Sequence, residues 1–168
     1  PGISESKPRR ILCHRLSTSL ERSRKTDTEK RESLRLSNAM IGKVIYDILS
    51  SDGTVSGEVS TRIYPDTVPQ NASFPYITYS VINTLPTDDK DGGSRLDVVG
   101  VQVDIYSRDY SEAQTIAAGC RAALDRYSGT NNSVKVDKIK FSNESSGNYQ
   151  QDLGVFWVSQ DYDIRVKR

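Results

Sequence analysis

The stretch VGVQVDIYSRDYSEAQTIAAG, residues 99–119, changes its hydrophobic period from two to 3.6 within four residues. Val99, Val101, Val103 and Ile105 alternate with Gly100, Gln102, Asp104 and Tyr106, which reads as a strand buried on one face. After the joint SRDY, Ala113, Ile116, Ala117, Cys120, Leu124 and Tyr127 form one helical stripe. Ser111, with Gln114 three residues on, reads as the N-cap of a capping box. Gly129 reads as the glycine that closes the helix. A strand thus hands the chain directly to a helix that covers the sheet, and no residue of the segment carries evident chemistry.

Working outward, Ile41, Val44, Ile45, Ile48 and Leu49 fall at i, i+3, i+4, i+7 and i+8, which predicts an amphipathic helix. SSDGTVSG then reads as its end and a flexible loop. TRIY (61–64) reads as a short strand broken by Pro65, and PDTVPQNASFP as a fixed, irregular connection. YITYSVI (76–82), β-branched and aromatic on both faces, reads as a central strand. LPTDDKDGGSRLD then reads as an unstructured link of about fourteen residues, a length at which such links are often functional.

Past the helix, SVKVDKIKF puts Val134 and Val136 on one face and Ile139 and Phe141 on the other, a change of phase that predicts a bulge or an exposed end. The last strand places Phe156, Val158, Tyr162, Ile164 and Val166 together, interrupted by Gln160, with Trp157, Asp161, Asp163 and Arg165 opposite. The order α-β-β-β-α-β-β with hairpin-length links predicts an α+β domain. Its twisted, mainly antiparallel sheet carries two helices on one face.

Composition divides the chain at residue 40. Residues 1–39 contain no aromatic and carry a net charge of +5, whereas residues 40–168 carry −4. The first segment cannot bury enough apolar surface to offset the entropy of ordering, so a disordered or loosely helical basic arm is expected, followed by one domain over 40–168. Met40 is the sole methionine. It reads as the natural start, with 1–39 as upstream translation or an appended remnant. A basic arm can hold nucleic acid, but this one interleaves acids and offers no ring to stack on a base.

The composition is poor in catalytic equipment. The one histidine, His14, lies in the arm, so a Ser-His-Asp or Cys-His mechanism has no base in the body. Two cysteines give neither a structural zinc set nor a disulfide framework, and Cys120 on the helix stripe reads as a core residue in a reducing compartment. No phosphate-cradling loop is present. In DDKDGG, alignment of Gly92 with a calcium-loop glycine leaves Val98 where the bidentate carboxylate belongs, so a solvated acidic loop is expected. Asp97, Asp104, Asp161 and Asp163 lie on strands, where exposed acids are ordinary. No run approaches the length of a bilayer span. The reading is no enzyme, no cofactor, no metal, no small-molecule substrate and no membrane, with nucleic acid disfavoured.

What remains is surface. Tyr106 and Trp157, with Tyr76, fall on the face not claimed by helices, where such rings either pack as ordinary sheet aromatics or serve a subunit interface. The loop residues Asp88, Asp89, Lys90 and Asp91 are the other candidate contacts.

The segments RIYPDTVPQNASFPYITYSVI, VQVDIYSRDYSEAQTIAAGCRAAL and FWVSQDYDIRV together resemble the tail-completion, or head-to-tail joining, proteins of tailed bacteriophages and prophages. The resemblance spans about residues 40–168 and rests on element order, an aromatic FPY entering a strand, and a V-x-V-D-I-Y strand running into a capped, alanine-rich helix. It implies a structural virion protein, a tail terminator, that forms a homo-oligomeric ring, typically hexameric. The ring would cap the tail tube and meet the head-side connector, located at the tail–head junction of the virion and in the host cytoplasm during assembly. The alternative is a nucleic-acid-binding module that uses the basic arm.

Overall fold

The computed structural model of the chain describes residues 40–89 and 92–167. The arm therefore lies outside the described residues. Helix α1 spans 40–51, and its stripe Ile41, Val44, Ile45, Ile48 and Leu49 is buried. Two serines, Ser50 and Ser51, donate back to the carbonyl of Asp47, and Asp52 then caps a second helix.

That helix, α2 (Gly53–Val59), replaces the flexible loop expected from SSDGTVSG. Asp52 accepts from the amides of Thr54 and Val55, and Val55 and Val59 are 0% exposed. Two buried valines contribute about 1.5–3 kcal/mol each, against a helix penalty of about 1 kcal/mol for an interior glycine. Burial wins over local propensity.

Strands β1 (Ile63–Pro65), β2 (Tyr76–Asp89) and β3 (Gly92–Ser107) follow, then helix α3 (Tyr110–Leu124), β4 (Gly129–Asn131), β5 (Val134–Gln150) and β6 (Val155–Lys167). The fold is α+β as expected, but with three helices and six strands among the described residues. The sheet order is β1-β2-β3-β6-β5-β4, so the opening segment's strand and the last strand are the central pair. All pairings are antiparallel except β1 with β2, which is parallel. YITYSVI is therefore not central throughout. The three residues of β1 cover β2 only at Ile77–Tyr79, and the exposed Ile82 and Leu85 lie beyond that cover.

The expected loop between Leu85 and Val98 is instead paired: Leu85 faces Val98, Pro86 faces Asp97, and Asp89 faces Gly92. At β5 the predicted bulge is present as a register shift between Val136 and Lys138, which is why Val136 and Ile139 both reach the core despite odd spacing. The helix α3 cap is Asp109, not Ser111. Its carboxylate accepts from the Glu112 amide, while the Ser107 hydroxyl donates to the Glu112 side chain. The helix stops at Leu124 with Asp125 as C-cap, and Gly129 opens β4 instead of closing the helix.

Val99, Val101, Val103 and Ile105 of β3 and Val158, Tyr162 and Ile164 of β6 form the core floor, covered by Ala113, Ile116, Ala117, Cys120 and Leu124 of α3. Gln160, the polar break in that face, is 0% exposed and fully engaged. It donates to the Ala117 carbonyl at 2.9 Å and to Glu144 at 2.8 Å, and accepts from the Tyr162 hydroxyl at 2.7 Å. Its bonds tie β6, β5 and α3 together at the centre of the layer.

Candidate interaction surface

With the helices on one side, the outer face of the sheet is laid out in rows by strand register. One row holds Tyr76 of β2, Tyr106 of β3 and Trp157 of β6, directly opposite one another. Their rings stack: Tyr76 and Tyr106 lie 5.0 Å apart at 30°, and Tyr106 and Trp157 lie 6.1 Å apart at 6°. Phe74 stacks on Tyr76 at 5.1 Å, Tyr64 of β1 meets it edge-on at 6.4 Å, and the Arg108 guanidinium sits 5.3 Å from the Phe74 ring centre. Five half-buried rings thus cross four strands.

The next rows are polar and hold that ladder in place. Asp104 accepts from the Trp157 indole N–H at 3.2 Å and from Gln102 at 2.9 Å, and Gln102 also donates to Ser159. Burial pushes the Tyr106 phenol up to about 12, with the Asp104 carboxylate and Tyr76 adding to the shift. These phenols stay neutral at physiological pH, so the ladder presents flat π-faces with a polar margin, the composition enriched in protein contacts.

At the opposite end of the same face an open groove of 190 Å³ is lined by Val98, Lys138, Lys140, Asp163 and Arg165. None of its three cations makes an ion pair among the described residues. Such a groove can receive an anion, whether carboxylate or phosphate.

Of the expected contacts, Tyr106 and Trp157 are brought together. Asp88 and Asp89 close strand β2 opposite Gly93 and Gly92, far along the sheet from the ladder. Lys90 and Asp91 lie outside the described residues. Reading the sequence missed Tyr64, Phe74 and Arg108, because membership of the row depends on the parallel β1–β2 register and on a loop returning beside it. Asp97 turns out 7% exposed, on a row with buried Val166, and so is not one of the wet-face acids. Cys120 is buried in α3, its thiol pushed up to about 12 by burial. Among the described residues no group of three His, Cys, Asp or Glu side chains comes together as a metal site.

The described residues thus form a mixed sheet with helices on one side and aromatic and charged patches on the other. A chain from the virion of a native gene transfer agent (GTA) particle has a similar fold, with TM-score 0.64 and 16% identity over 74% of this chain and 92% of that one. No curated protein matches the chain. The sequence profile of the family "Tail completion protein gp17" matches residues 43–167. The chain belongs to that family and is a structural protein of the bacteriophage tail.

Proposed function

We propose that this chain is the ring-forming subunit that ends the tail tube and joins tail to head. The observation that carries the reading, beside family membership, is the aromatic ladder Tyr64–Tyr76–Tyr106–Trp157 on a sheet face that none of the described helices covers. Copies associate around an axis in a closed ring, of six in this reading, since a heterologous contact that closes gives a ring rather than a filament. One surface of the ring meets the last layer of the tail tube and the other meets the head-side connector. The finished ring resides at the tail–head junction, and its subunits assemble in the host cytoplasm.

The ladder and the end of the β2–β3 hairpin, with Asp88, Asp89, Lys90 and Asp91, are the contact regions in this reading. Residues 40–168 act as one domain and 1–39 as an accessory arm. No catalytic step enters, because the chain acts by shape and surface.

The test is genetic. Particles produced without the chain should appear in electron micrographs as filled heads and separate tails, and supplying the chain should restore joined particles. Supplying Tyr106→Ala/Trp157→Ala should not. Normal joining in the absence of the chain would end this reading.

A further inference from the structure

The groove at Val98, Lys138, Lys140, Asp163 and Arg165 is an arrangement that the sheet by itself disfavours. Lys138 of β5 lies directly opposite Arg165 of β6, and in the next row Lys135 lies opposite Lys167. Like charges set opposite each other across two strands destabilise a sheet. Lys167 is relieved by Asp137 at 3.0 Å, whereas Lys138, Lys140 and Arg165 are exposed and make no ion pair among the described residues. Their neighbours Ile139 and Ile164 are buried in the core, so the cations stand on the outer face.

The patch also runs against the charge of the domain. Residues 40–168 carry −4, yet Lys135, Lys138, Lys140, Arg165 and Lys167 against Asp137 and Asp163 amount to +3, which leaves −7 on the rest. A second copy therefore brings surface of opposite sign to this patch.

The pattern narrows the match further. The groove sets three cations around one carboxylate, Asp163. Within 40–168 adjacent acids occur once, at Asp88 and Asp89, and the run Asp88-Asp89-Lys90-Asp91 holds three acids and one cation, the inverse of the groove. A phosphate chain would be repelled by Asp163 and would gain nothing from Val98. A protein segment of inverse charge suits both.

The hairpin carries this run outward. Leu96 of β3 faces Lys167 at the end of described β6, and β2 and β3 stay paired with each other as far as Asp89 and Gly92, four residues or about 13 Å beyond. The groove begins at Val98, six residues or about 20 Å behind Gly92. A paired ribbon running in that direction leads away from its own groove and toward a neighbour.

We infer that the cationic groove of one copy receives the Asp88–Asp89 end of the β2–β3 hairpin of the next. Each copy then offers one hairpin and one groove, a heterologous contact that can repeat around an axis until it closes. The like-charge pairs on β5 and β6 are tolerated in the single chain because the neighbour's carboxylates neutralise them. This inference rests on the reading of the chain as a ring subunit.

Charge reversal tests it in the full chain. Lys138→Glu/Arg165→Glu and Asp88→Lys/Asp89→Lys should each lower head–tail joining about tenfold or more, because each sets like charges together at the contact. A chain carrying all four substitutions should recover most of the loss. Lys138→Glu alone should raise the melting temperature, since it faces Arg165, while still weakening joining. In assembled wild-type particles, carbodiimide should link Asp88 or Asp89 to Lys138 or Lys140, and mixed heavy- and light-isotope chains should show that the link joins two copies.

Normal joining by the folded groove variant overturns this contact and leaves the proposed function standing, as does failure of the fourfold variant to recover. Salt-sensitive binding of the wild-type chain to duplex DNA, abolished by the groove reversal, would assign the groove to phosphate and also overturn the contact. The intermolecular link in a chain dispensable for joining would instead keep the contact and remove the proposed function.

Discussion

The Tyr106 ring lies parallel to the Trp157 indole, 6.1 Å away at 6°, across the central pair of strands. Two residues fifty-one positions apart meet because β6, the last strand, inserts beside β3. The indole is then pinned from its polar end by Asp104. A flat pair held in this way has little side-chain freedom left to lose.

Trp157 is the sole tryptophan, so its fluorescence reports this face directly. Trp157→Ala should leave the far-ultraviolet dichroism unchanged and cost about 1–2 kcal/mol in urea unfolding, below the cost at a fully buried site. Head–tail joining should fall at least tenfold, the scale of an interface hot spot. In the wild type, emission should shift to shorter wavelength on assembly. A fully active Trp157→Ala chain would show that the ladder is only sheet packing.

The Gln160 network predicts strong coupling. Gln160→Leu leaves the Tyr162 hydroxyl and the Ala117 carbonyl without this partner inside the core, at a cost of about 2–3 kcal/mol. Tyr162→Phe should cost about 1 kcal/mol. The double variant should lose less than the sum, with a coupling of at least about 0.5 kcal/mol in a urea-denaturation cycle. Additive losses would mean that the two side chains act separately.

Gly119 marks where α2 seats on α3. A Cβ built there lies 3.2 Å from Val55 Cγ2 and 3.3 Å from Thr54 Cγ2. Gly119→Ala gains about 1 kcal/mol of helix propensity and strains two side-chain tips, so thermal unfolding should move little in either direction. Gly119→Leu has no such room and should cost about 1–3 kcal/mol. An unchanged melting temperature for Gly119→Leu would show that α2 lifts away without penalty.

Alkaline pH should unfold the domain earlier than charge repulsion alone requires. Burial raises the Cys120 thiol from 9.0 to about 12 and the Tyr106 phenol from 10.0 to about 12. Both folded values exceed the unfolded ones, so the contribution to stability is complete below pH 9 and is lost as pH rises through 9–12. Melting temperature should be flat from pH 7 to 9 and then fall. In Cys120→Ala the onset should move toward pH 10, and in Cys13→Ser the remaining thiol should resist alkylation at pH 8 until the chain unfolds. Rapid labelling of the folded chain would contradict the burial.

Local periodicity was enough for α1, α3, the inward face of β6 and the bulge in β5. In each case the apolar spacing repeats inside one element, and no partner is needed to read it. The outward placement of Tyr106 and Trp157 followed from the same alternation. Less legible were the ends of α3, where Asp109 rather than Ser111 takes the cap because Ser107 and Glu112 lock the preceding turn.

The alternation of residues 99–105 and the stripe that follows determined, from sequence alone, that a sheet face and a helix face would meet. Tertiary structure decided what two segments do by joining them to distant ones: α2 forms because Val55 and Val59 bury against the core, and residues 85–89 pair with 92–98 because β2 and β3 continue each other's ladder. Tertiary structure also decided the ladder, since a row across strands exists only once neighbours and register are chosen. The physical reason is range. Periodicity records which side of an element avoids water, whereas contacts between elements depend on burial and hydrogen bonds shared with residues far along the chain.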